Sequence, residues 1–156
     1  MSTPGPAIDD ARAAVDLAFA DVPRPVAFAR GTCGCSECLE HEATLASHTR
    51  DTIGLAELGN PGWDPICFAS DMAFAYYLPA LVRLALTTDA YLDQLCFHLG
   101  RSGRQAAITR EQAAAVLAAL WAMVEADRVD ACDAPGVEDA IAALEARLAA
   151  PEGEGA

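Results

Sequence analysis

The chain has 156 residues, of which 53% are hydrophobic, and these values predict one folded domain rather than a disordered protein. Ten arginines, no lysine and 23 acidic residues give a formal net charge of −13. Such a charge repels phosphate backbones and anionic lipids, so we expect no binding to nucleic acid or to membrane surfaces. It favours instead a basic protein as partner.

The ends of the chain carry no targeting signal. The first ten residues lack a basic segment and an apolar segment, and the longest apolar stretch, residues 74–86, is too short to span a membrane. We therefore expect a cytoplasmic protein with an ordered core over residues 8–149 and flexible ends at 1–6 and 151–156. In that compartment the six cysteines are reduced, which favours metal or redox chemistry over structural disulfides.

The first third of the chain predicts two helices. The first covers residues 8–20, with Asp9 and Asp10 in its first turn, and it stops before Pro23. The second begins with Ser36 as N-cap and runs to about residue 48. A loop over 54–65 follows, with one short helical turn near residues 55–58.

The central part predicts a buried helix. Ser70 is its N-cap, and its side chains are apolar on nearly every side as far as Leu86, a pattern typical of a helix inside a core. A fourth helix spans residues 88–99 and stops at Gly100.

Two further helices complete the chain. Thr109 and Gln112 form a capping-box pattern that predicts a helix ending near Arg128. The Pro135-Gly136 pair predicts a break before a last helix with apolar residues at 137, 141, 144 and 148. Five or six helices and no predicted strand give an all-α, single-domain bundle.

A cluster of cysteines is the main chemical feature. Cys33, Cys35, Cys38 and His41 lie within nine residues, and Gly34 lets the first two approach each other. The C-x-x-C spacing and the i, i+3 relation of Cys38 and His41 can direct four ligands at one tetrahedral zinc. Cu(I) and iron–sulfur clusters also suit such ligands. With four protein ligands the site is closed, which is typical of structural zinc.

The fourth ligand has alternatives. His48 lies seven residues after His41, and seven helical residues span about 10.5 Å, so the two histidines cannot share one ion. Cys67 can reach the cluster from the loop that follows Trp63-Asp64-Pro65.

We expect structural roles for four residues that lie outside the cluster. Cys96 is expected in the core, and Cys132 is expected as a partly exposed thiol. His98 ends a helix, where an imidazolium interacts well with the helix dipole. Trp63 is expected to anchor its loop in the core.

The absence of catalytic motifs indicates a protein that is not an enzyme. The leading interpretation is a helical binding, adaptor or immunity-type module with one metal site, and with a groove near Tyr76, Tyr77 and Arg83. A soft-metal carrier that uses the C-x-C-x-x-C cluster is an alternative. A thiol redox enzyme based on Cys35 at a helix N-terminus, or a zinc enzyme, is another.

One segment resembles a known family. Residues 68–81 are similar to the signature F-L-T-P-E-A-F-R-Y-Y-L-P-A of an uncharacterised bacterial domain family, and the matching residues are Phe68, Phe74, Tyr76, Tyr77, Leu78, Pro79 and Ala80. The chain departs from the signature at Ser70-Asp71 and at Ala75. The resemblance implies a related fold and a bacterial source but no activity, and the cysteine cluster is not part of it.

Overall fold

The computed structural model describes residues 6–31 and 33–151. These residues contain no strand, which confirms the all-α fold. The helices are α1 (Pro6–Ala18), α2 (Ser36–Ala46), the short α3 (Leu55–Leu58), α4 (Asp71–Thr87), α5 (Leu92–Leu99), α6 (Arg110–Glu125) and α7 (Ala134–Ala149). The predicted flexible ends lie for the most part outside the described residues.

Helix α4 forms the centre of the bundle. Twelve of its 17 residues are buried, and α1, α5 and α6 pack around it, while α7 packs on α5 and α6. Ser70 caps it as predicted, because its Oγ accepts a hydrogen bond of 3.1 Å from the amide of Ala73. None of the described helices combines the length and the apolar character needed to cross a membrane.

The prediction of a surface groove beside α4 is wrong. Tyr76 and Tyr77 are both buried, at 6% and 0% exposure. The Tyr77 hydroxyl donates to the carbonyl groups of Leu45 and His48, so this side chain ties α4 to the end of α2. Arg83 donates to the carbonyl of Arg50 at 2.9 Å, so all three residues of the predicted groove are used in contacts within the chain.

Several helix ends differ from the predictions. Helix α1 begins and ends two residues before the predicted bounds of 8 and 20. The first residues of the predicted fourth helix form a 3₁₀ turn, Asp89–Tyr91, which precedes α5. Pro135 and Gly136 do not break the chain but lie in the first turn of α7, where a proline needs no N–H partner. The capping box of α6 is confirmed, with bonds of 3.2 and 3.0 Å between Thr109 and Gln112.

Two loops cross beside α2 and position the candidate sites. The amide of Arg30 donates to the carbonyl of Phe68 at 2.6 Å, and the amide of Ser70 donates to the carbonyl of Phe28 at 2.7 Å. The Glu42 carboxylate of α2 accepts from the amides of Phe28 and Ala29. The segment that precedes the cysteine cluster is therefore fixed both to α2 and to the 3₁₀ turn Pro65–Phe68.

Candidate functional site

The structure brings three cysteine sulfurs together. The Sγ of Cys33 lies 2.9 Å from that of Cys35 and 2.8 Å from that of Cys38. All three are free thiols, since an S–S bond measures about 2.05 Å. Cys33 and Cys35 are exposed and Cys38 is half-buried, so the cluster is open to solvent. Their sulfurs are close enough to bind one metal ion.

The local sequence explains this geometry. Gly34 has φ +70°, a left-handed conformation that side chains disfavour, although a Cβ there would meet no atom within 4 Å. The left-handed turn lets residues 33 and 35 face each other. Cys35, rather than the predicted Ser36, is the N-cap of α2, and its Sγ accepts from the amide of Cys38 at 3.5 Å.

Hydrogen bonds distribute the protons of the cluster unevenly. Donation from the side chains of Cys35 and Cys38, and from the amide of Cys35, lowers the pKa of Cys33 to about 7. The same contacts raise the pKa of Cys38 to about 12, because its thiol donates to the other two sulfurs. The cluster therefore places its first negative charge at Cys33.

His41 and His48 do not join the three sulfurs. The ring of His41 is 1% exposed and lies between two aromatic rings, with centroids 4.2 Å from Phe68 and 4.7 Å from Trp63. Its Nε2 is 3.8 Å from a carboxylate oxygen of Glu37. Nδ1 of His48 donates to the carbonyl of Thr44 at 2.9 Å, and its Nε2 lies 3.5 Å from a carboxylate oxygen of Glu57. Among the described residues, the group of ligand atoms adjacent to these sulfurs contains only the three cysteines, so the four-ligand set stays a prediction.

Trp63 does not anchor its loop in the core as predicted. It is 42% exposed and covers His41 at the surface.

Cys67 belongs to a second group, together with Asp64 and His98. The ligand atoms of these three residues lie within 4.8 Å of one another, and Nε2 of His98 is 2.9 Å from Oδ2 of Asp64. Asp64 and His98 are buried, whereas Cys67 is exposed. His98 occupies the last turn of α5 as predicted, but its ring pairs with Asp64. Sequence analysis missed this group, because its members are up to 34 residues apart.

Asp64 is the centre of a buried network. Its Oδ1 accepts from the amide of Ile66 at 2.9 Å, which caps the 3₁₀ turn Pro65–Phe68. Its Oδ2 accepts from Gln94 at 2.9 Å and from the Tyr91 hydroxyl at 3.3 Å, in addition to its contact with His98. These bonds fix the orientation of the carboxylate.

Arg104 fixes the turn that carries Cys67. Its buried guanidinium donates to the carbonyl groups of Ile66, Cys67 and Ala69 at 2.8–3.2 Å. Burial and the nearby Asp64 raise the pKa of Cys67, and Arg104 opposes this shift in part. At neutral pH the free side chain is therefore a thiol rather than a reactive thiolate.

A cavity of about 540 Å³ adjoins the second group. Three cysteines line it, namely Cys67, Cys96 and Cys132, and Asp64, Asp93, Asp139 and Arg101 supply its charges. The predictions for the two single cysteines are confirmed, since Cys96 is buried and Cys132 is exposed. Burial raises the pKa of Cys96 to about 12, so this thiol stays protonated.

Comparison of the chain with protein-family models, with curated proteins and with solved structures finds no match. The resemblance of residues 68–81 to a bacterial domain family remains a prediction, and so do the bacterial source and the cytoplasmic location.

Proposed function

We propose that this chain is a soft-metal carrier that binds Cu(I) at Cys33, Cys35 and Cys38. The observation that carries the proposal is the convergence of three thiols, two of them exposed, without a fourth ligand among the described residues. Structural zinc and iron–sulfur clusters normally take four protein ligands. Three thiolates suit a soft ion such as Cu(I) and leave it accessible to an acceptor.

The contacts around the cluster also favour a carrier over a structural site. Helix α2 is held by its buried residues His41 and Leu45, and the preceding segment is held by Glu42 and by the bond from Arg30 to Phe68. Protein contacts thus fix both sides of the cluster. We infer that the fold persists when the metal leaves, which a carrier requires.

Competition for Cu(I) against a chromophoric chelator, under reducing and anaerobic conditions, tests the proposal. The wild-type chain should bind one equivalent and return it to excess chelator. The triple variant Cys33→Ser, Cys35→Ser and Cys38→Ser should lose this site, and its fold should survive because serine is itself a preferred N-cap at position 35. Cys132→Ser, which removes an exposed thiol elsewhere, should bind Cu(I) like the wild type.

Hydrogen exchange separates the carrier from the structural zinc site predicted from the sequence. The amides of α2 should remain protected in metal-free protein. Loss of that protection after removal of zinc would overturn the carrier and favour the structural site. Equal Cu(I) binding by the triple variant and the wild type would show that the three cysteines are not the site.

A further inference from the structure

We propose that Asp64, Cys67 and His98 form a second metal site, which binds a divalent cation of the zinc class at the wall of the cavity. This site is independent of the cysteine cluster and of the function proposed for it. The three residues supply one carboxylate oxygen, one thiolate sulfur and one imidazole nitrogen, and zinc uses all three ligand types.

The distances are compatible with one ion. At zinc bond lengths of about 2.0 Å to oxygen and nitrogen and about 2.3 Å to sulfur, an oxygen and a nitrogen on one tetrahedral ion are roughly 3.3 Å apart, and a sulfur and a nitrogen are roughly 3.5 Å apart. Oδ2 of Asp64 and Nε2 of His98 are 2.9 Å apart and share a hydrogen bond, so a bound ion would replace the proton between them and widen this gap by roughly 0.4 Å. The sulfur of Cys67 lies within 4.8 Å of one carboxylate oxygen of Asp64 and of one ring nitrogen of His98. Cys67 is exposed, so rotation of its side chain can supply the remaining approach.

The charges balance in a buried setting. A bound metal requires the ionised forms of Asp64 and Cys67 and the neutral form of His98. Two negative charges and one divalent cation give a neutral centre, which suits a site where two of the ligands are at most 3% exposed.

Surrounding contacts resemble those of a metal site. Ligand carboxylates are commonly held by hydrogen bonds from outside the coordination sphere. Asp64 receives such bonds from Ile66, Gln94 and Tyr91, and Arg104 fixes the carbonyl of Cys67. These contacts hold the carboxylate of Asp64 and the backbone of Cys67 before an ion arrives.

Two buried polar atoms at this cluster have no hydrogen-bond partner among the described residues. They are Nδ1 of His98 and Oε1 of Gln94. Gln94 also lines the cavity, and its Nε2 contacts the carboxylate of Asp64. Nδ1 of His98 points away from the ligand atom Nε2 and does not face the ion, but the unpaired amide oxygen of Gln94, beside the converging ligand groups, points to a place where water bound to the ion completes the network. Three protein ligands leave one coordination position for water from the cavity.

Titration with Co²⁺, a spectroscopic substitute for zinc, tests the site in the triple serine variant at positions 33, 35 and 38. This background removes the cysteine cluster, so the two proposals succeed or fail separately. We expect one equivalent of Co²⁺ with a thiolate charge-transfer band, displaced by Zn²⁺. Adding Cys67→Ser should abolish that band and weaken Co²⁺ binding by on the order of a hundredfold or more. Adding Cys132→Ser, which removes another thiol from the same cavity, should change neither.

A second measurement keeps the test independent of cobalt spectra. Zn²⁺ should shift the ring-nitrogen resonances of His98 in the triple variant and should protect Cys67 from alkylation. Absence of Co²⁺ and Zn²⁺ binding in the folded triple variant would overturn the proposal. A charge-transfer band that survives Cys67→Ser would overturn it as well. Rapid alkylation of Cys67 that metal does not slow would indicate a free thiol instead.

Discussion

Replacement of Arg104 by methionine should destabilise the fold strongly. The guanidinium is 4% exposed and donates to the carbonyl groups of Ile66, Cys67 and Ala69. Each buried acceptor left without a partner costs about 1–3 kcal/mol. Burial lowers the pKa of Arg104, which reflects the cost of desolvating its charge, so part of the loss is offset. Methionine also keeps packing against Phe74, whose ring centroid is 5.3 Å from the guanidinium carbon.

The net effect of Arg104→Met should be a loss of about 3–5 kcal/mol in the free energy of unfolding. For a chain of this size each kcal/mol lowers Tm by roughly 2–4 °C, so Tm should fall by about 6–20 °C. Thermal and urea unfolding monitored by circular dichroism measure both quantities. Arg104→Lys keeps the charge but not the fork of donors, and it should fall between the wild type and Arg104→Met.

Arg101→Met provides the matched control, because Arg101 is exposed at the edge of the same cavity. It should change stability by less than about 0.5 kcal/mol. If Arg104→Met unfolds at the same temperature as Arg101→Met, the three carbonyl bonds do not stabilise the turn. Arg104 would then not position Cys67.

Four smaller predictions address caps, strain, pH and the fourth ligand. Thr109→Ala removes a capping box and should lower Tm by about 2–4 °C in thermal melts. Gly34→Ala should weaken Cu(I) binding by roughly five- to thirtyfold in competition assays, because a left-handed alanine costs about 1–2 kcal/mol and the exposed metal-free loop can relax out of this conformation, whereas the metal-bound turn cannot. Gly103→Ala carries the same strain away from the cluster and should leave Cu(I) affinity unchanged. Burial and neighbouring carboxylates raise the pKa of Asp133, so its charged form opposes folding. Asp133→Asn should therefore raise Tm slightly at pH 7, and melts in acid should show that gain disappearing as the wild-type carboxyl protonates. His41→Phe should keep Cu(I) affinity within about twofold, whereas a loss of tenfold or more would restore His41 as a ligand.

The helices were predictable where their signals are local. Ser70 and Thr109 cap their helices through bonds to residues three positions away, and an apolar pattern on all sides placed α4 in the core. The predicted break at Pro135 is wrong because proline is common both after the end of a helix and in the first turn of a helix. Its meaning depends on the residues that pack around it, which local sequence does not contain.

For the candidate sites too, local spacing was predictable and long-range packing was not. Cys33, Cys35 and Cys38 were predictable because six residues contain all three. The position of the His41 ring was not predictable. Helical spacing gives the distance of His41 from Cys38, but it does not show against which side chain the ring packs. Its ring stacks on Phe68, because α2 packs on the turn Pro65–Phe68. Asp64 and His98 meet only through such long-range packing.

The two groups differ in the metals they should select. The cluster at Cys33 offers three sulfurs at the surface, whereas the group at Asp64 offers oxygen, sulfur and nitrogen at a largely buried position. Sulfur-only sites favour Cu(I), and mixed sites of this kind favour zinc. A thiophilic ion should therefore load the surface cluster first, while zinc should favour the cavity. Because the ligand sets share no residue, each metal can be assigned to its site by variants that leave the other intact.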